Sequence, residues 1–139
     1  MEHRHDEGRI LVRLDRGEEV LTALRALARE HDVGTASLAG IGAVRDAEIA
    51  YYDLGALAYE TRTFAEVAEL LSLSGNVALV DGEPFIHAHA VLGRRDMSTV
   101  GGHLVRATVA VTVEAFLDCF ESRVDRELDP EVKLKLLKL

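Results

Sequence analysis

"FAEVAELLSLSGNVALVDGEPF" runs from Phe64 to Phe85 and fits two different periods. Phe64, Val67, Ala68 and Leu71 recur at helical spacing. Leu71, Leu73 and the run Val77–Val80 fit strands instead. Turn chemistry breaks the tie. "SGN" (Ser74–Asn76) reads as a hairpin turn or bulge, and "DGEP" (Asp81–Pro84) as a second turn. Two turns this close predict a strand meander from about Glu69 onward.

The meander continues towards the C-terminus. "PFIHAHAVLG" (Pro84–Gly93) reads as a strand, "GRRDMSTVGG" (Gly93–Gly102) as a polar loop, and "HLVRATVAVTVEAFL" (His103–Leu117) as a long alternating strand. Period two puts Val105, Val109, Val111 and Val113 on one face. In the closing "DPEVKLKLLKL", Leu134, Leu136, Leu137 and Leu139 are available to dock, with the lysines outside. On the N-terminal side, "RILVRLD" (Arg9–Asp15) suits a strand. "GEEVLTALRALAREHD" predicts the main helix, with an apolar stripe of Val20, Leu21, Leu24, Leu27 and Ala28. Glu18 and Glu19 fall in its first turn, and Gly34 supplies the stop. "TASLAGIGAVRDAEIAYYD" (Thr35–Asp53) predicts two strands joined by a turn or bulge near Arg45-Asp46. The result is an α+β fold class: an antiparallel-rich or mixed sheet with one principal helix, in a single compact domain. Residues 1–8 are expected to be a flexible N-terminus and 9–139 the domain.

Bulk properties narrow the function. The 139 residues are about half apolar, enough for a core without staples. The one cysteine, Cys119, permits no intramolecular disulfide and suits a cytoplasmic setting. The polar start "MEHRHDEGRI" does not read as a secretory signal, and no apolar run could cross a bilayer. A formal net charge of −8 without a lysine or arginine cluster argues against direct nucleic-acid binding.

Three of the six histidines, His87, His89 and His103, fall between Pro84 and Leu104. In a strand, positions i and i+2 share a face, so His87 and His89 stand ~7 Å apart at their stems. Their rings can converge on one ion, and a short connection can fold His103 back beside His89. Three imidazoles suit a divalent metal, zinc first by ligand type, with a position left for a ligand. The same three residues also read as core histidines that only satisfy the backbone. Gly101-Gly102 reads either as a loop needing unusual φ or close backbone approach, or as a nest of N–H groups that binds an anionic cofactor or ligand. Glu66, Glu69 and Asp96 are candidate bases without fixed positions. His3 and His5 repeat the spacing at a terminus expected to fray, and His31 complements the helix dipole.

Taken in order, "GIGAVRDAEIAYYD", "LLSLSGNVAL", "PFIHAHAVLG" and "GGHLVRATVAVTVEAFL" resemble the plants-and-prokaryotes conserved domain (PCC or PPC), from about Arg9 to Leu128. The resemblance implies an antiparallel-rich sheet, one principal helix and a homotrimer. It also implies that His87, His89 and His103 are a metal-ligand set. Plant members join this domain to AT-hook arms, and no such arm occurs here. The expected function is therefore a stand-alone homotrimer with a three-histidine zinc site in a pocket near a subunit interface, taking a small anionic ligand. The rival is an assembly or DNA-associated regulatory module whose histidines serve only the fold.

Overall fold

The computed structural model describes all 139 residues. Along the chain run β1 (Glu2–Asp6), β2 (Arg9–Leu14), α1 (Val20–Glu30), β3 (Ala36–Asp53), β4 (Ala58–Phe64), β5 (Ala68–Val80), β6 (Glu83–Gly93), β7 (Thr99–Cys119), β8 (Arg126–Leu128) and β9 (Lys135–Leu137). The first seven strands make one sheet in the order β1-β2-β7-β6-β5-β3-β4, with β7 also paired to β3. All these pairings are antiparallel. β3, β5, β6 and β7 thus pair in a closed circuit. The short β8 and β9 form a separate two-stranded sheet.

The ambiguous stretch is a strand, not a helix. β5 lies between β3 and β6, and both flanks use its backbone. "SGN" is not a turn: Ser74, Gly75 and Asn76 pair straight across to His89, Ala88 and His87. A Cβ on Gly75 would stand 2.1 Å from the carbonyl oxygen of His87, so the strands approach too closely there for a side chain. A register shift between Leu70 and Ser72 turns Leu70 and Leu73 inward and leaves Leu71 out. "DGEP" does turn the chain: Asp81 and Gly82 both have positive φ, as a two-residue hairpin loop requires.

β3 is one strand rather than two. Asp46 (φ 51°) marks an irregularity against β7, not a reversal. Paired irregularities also break the face of β7. Val109 and Val113 are buried, whereas Val105 and Val111 point outward, so the four valines do not share a side. Each register shift flips the side chains beyond it.

α1 matches its stripe. Val20, Leu21, Leu24, Leu27 and Ala28 are all buried and pack against Ile10, Val12 and Leu14 of β2 and the inner residues of β6 and β7 in one core. Glu19 lies before the helix rather than in its first turn, and its carboxylate accepts from the N–H groups of Leu21 and Thr22. The stop is Asp32 (φ 50°), not Gly34.

Both ends differ from expectation. The first eight residues, expected to be a flexible arm, include β1, which extends the sheet beyond β2. Leu136, Leu137 and Leu139 do not dock in the core but remain exposed.

Candidate metal centre

β6 alternates strictly. Ile86, Ala88, Ala90 and Leu92 face the core, and Phe85, His87, His89 and Val91 face the other way. The two histidines therefore stand on the side of the sheet without the helix, and only one face of the strand is deeply buried. β7 pairs with β6 so that His103 lies directly opposite His89. Ring centroids are 5.3 Å apart for His87–His89, 5.2 Å for His87–His103 and 5.5 Å for His89–His103. One nitrogen from each ring lies within 4.8 Å of the others.

The glycines before His103 lie in a strand rather than a loop, and of the expected roles they serve close backbone approach. Gly101 and Gly102 are inside β7, paired with Val91 and Ala90. Neither has positive φ. A strand ladder uses the backbone groups that an anion nest would have to leave open, so the two glycines serve packing and not a nest. A Cβ at Gly102 would sit 2.7 Å from the Ala50 carbonyl oxygen, and one at Gly101 2.8 Å from that of Ala90. Close approach of three strands is what seats His103 beside the β6 pair.

The environment suits neutral imidazoles. Burial first, then the Arg126 guanidinium and the other two rings, hold His87 down to about 4. Burial and His89 lower His103 as well. Metal ligation needs the unprotonated ring, so both are prepared for it near neutral pH. The buried Nδ1 of His103 has no hydrogen-bond partner, although Tyr59 of β4 stacks on its ring at 4.9 Å. An imidazole nitrogen left without a partner in a three-histidine cluster fits a bound ion.

A pocket of about 410 Å³ opens beside His87 and His103. Tyr59, Phe85, Arg126, Lys133 and Lys135 help to line it, and no carboxylate does. Arg126 donates to Asn76 Oδ1 (2.7 Å) and the Lys135 carbonyl (2.9 Å), while its buried Nε has no partner. Lys135 pairs with Asp81. Tyr52 donates to the Val132 carbonyl at 2.5 Å, tying the C-terminal segment over the site. The cationic wall was not legible in the sequence, because it comes from a segment that carries no motif and read as solvated lysines. The candidate bases lie elsewhere: Glu66 pairs with Arg94, and Asp96 accepts from Ser98. Glu69 is opposite Gly93, and none of the three lines the pocket.

An α+β domain whose sheet gathers three imidazoles on its helix-free face defines a class, a small domain with a histidine-lined pocket. The chain belongs to the Plants and Prokaryotes Conserved (PCC) domain family, whose sequence model matches residues 1–121. Its structure is similar to that of a metal-containing protein from Archaeoglobus fulgidus (34% identity, TM-score 0.88, covering 99% of this chain and 97% of that one). It is also similar to a plant- and prokaryote-conserved protein from Pyrococcus horikoshii (31%, 0.88, 99% and 94%). A third similar structure, provisionally named as DNA-binding, is from Bacteroides thetaiotaomicron (26%, 0.95, 99% and 96%). No curated protein matches.

Proposed function

We propose that His87, His89 and His103 hold one divalent ion, zinc first, and that the pocket beside them takes a small anionic ligand. The observation that carries this reading is the meeting of three imidazoles, two of which line a pocket with three cationic side chains and no carboxylate. Neutral ligands leave the charge of an ion uncompensated, and Arg126 stands close enough to depress His87. An anion relieves both, and the unpaired Arg126 Nε is a donor for it. The ion would supply Lewis acidity and an anchor for an oxyanion. The metal-containing relative from Archaeoglobus fulgidus supports the same reading.

The second part of the proposal is a homotrimer. Ile41, Leu71 and Phe116 line one groove on β3, β5 and β7 and are 58%, 51% and 57% exposed. Other copies of the chain covering this face would account for it. The rival reading, a DNA-associated module, is favoured by the provisional names of two similar structures and is opposed by the net charge of −8.

The test is elemental analysis of protein purified without a histidine tag, followed by titration of the zinc-loaded protein with sulfate and acetate. One equivalent of metal is expected at the triad, and replacing any of its three histidines with Ala should lower the metal content by that equivalent. Arg126→Met is expected to weaken the anion by about 10- to 100-fold, the worth of a hydrogen bond to a charged group. Protein that carries no metal and takes up none at micromolar zinc would overturn the proposal.

A further inference from the structure

A second group of metal-ligating side chains lies on the helix-bearing side of the sheet, opposite the face that carries the triad, where β1 meets the end of α1. Residues directly opposite in an antiparallel pair share a face. His3 is opposite Val12 and His5 opposite Ile10, and both of those are fully buried in the core that α1 shares. His3 and His5 thus continue the core-facing side of the sheet by one strand, with imidazoles where aliphatic side chains would extend the core. Above them α1 ends in Glu30 and the capping residue His31.

The side chains converge. Nε2 of His3 and Nε2 of His31 are 2.9 Å apart, and Glu30 Oε1 is 4.0 Å from His3 Nε2. The His5 ring centroid is 5.2 Å from that of His31. Two nitrogens sharing one ion at zinc's bond length and tetrahedral angle stand about 3.3 Å apart, so the pair needs only a small opening. At 2.9 Å the two nitrogens have room for a single proton between them, so at least one presents a lone pair. The C-terminal end of a helix carries partial negative charge and favours a cation, and Glu30 adds a full one.

We propose that His3, Glu30 and His31 form a second divalent-metal site, with His5 in reach as a further donor, that clamps the N-terminal hairpin to α1. Mixed imidazole and carboxylate donors suit a zinc-class ion rather than magnesium or calcium. The site is independent of the triad: no residue is shared, and either can fail alone.

Zinc alone is the probe, on untagged full-length protein. In the His87→Ala/His89→Ala/His103→Ala chain, one equivalent of zinc should remain after dialysis. Cobalt in its place should give visible d–d bands. Adding His31→Asn should remove the equivalent and the bands, and Glu30→Gln should weaken binding. Hydrogen exchange at the β1 amides should slow with zinc in the parent and not in His31→Asn. If the triple variant does not fold, His31→Asn in the parent chain decides the matter by lowering the stoichiometry by one. Zinc binding that is unchanged by His31→Asn, or no zinc in a folded triple variant, would overturn the proposal and leave the His3–His31 contact as a hydrogen bond only.

Discussion

The imidazoles of the triad are held by the sheet but are not part of its core, and this separation shapes what substitution should do. None of His87, His89 or His103 belongs to the buried cluster of apolar side chains. His89→Ala should therefore strip most of the metal held by the triad, about one equivalent, while the far-ultraviolet circular dichroism stays that of the parent. Loss of the fold together with the metal would mean that the histidines are structural. Acid should act on the metal-free protein in a defined window. His87 is held to about 4 in the fold, against 6.5 for an ordinary imidazole. Between those values the unfolded chain binds the proton and the folded chain does not. Stability should thus fall as pH drops from 6.5 towards 4 and be indifferent to this residue above that range. Denaturant midpoints measured across this range should show a shallower slope for His87→Asn than for the parent. Equal slopes would remove His87 as the cause.

At the scale of elements, the site depends on strands that approach more closely than side chains allow. Gly75 of β5 is the clearest case, because an added methyl meets both the carbonyl oxygen of His87 and the Cα of Ala88. Neither contact is the movable end of a side chain. Gly75→Ala should cost about 1–3 kcal/mol, the range for forcing atoms into a packed interior. It should also loosen metal binding, since the strand must shift at His87. A thermal melt together with a zinc titration would check both, and an unchanged melting temperature would show that β5 and β6 can part freely. The same elements explain the misread segments. Ser-Gly-Asn and Arg-Asp carry turn chemistry, and in both places the chain continues in one strand, because neighbours on two sides supply a ladder that outweighs a local bend.

For the whole molecule, two outcomes follow from surface and charge. If copies of the chain cover the groove of Ile41, Leu71 and Phe116, light scattering should give three times the chain mass at micromolar concentration. Phe116→Asp, which puts a carboxylate into that face, should then shift the mass down. A monomer mass for the parent would reject the trimer. With a net charge of −8, duplex DNA should not bind at physiological salt. A sequence-selective complex resistant to that salt would promote the regulatory reading.

By itself the sequence determined the features that period and composition encode. These were the amphipathic helix, the strands β2 and β6, the Asp81-Gly82 hairpin, and the pair His87 and His89 on one strand face. Each rests on contacts near in the chain or on a two- or 3.6-residue repeat. Tertiary structure alone decided the rest. Whether Phe64–Phe85 bends or runs straight was set by pairing with β3 and β6. Which valines of β7 face inward was set by bulges, whose position no local pattern marks. Arg126, Lys133 and Lys135 reach the histidines only because the C-terminal segment folds back across the sheet, and His3 meets His31 only because a strand pairing and a helix end converge. Such meetings are long-range, and their stabilisation comes from packing and pairing that no short stretch of sequence contains.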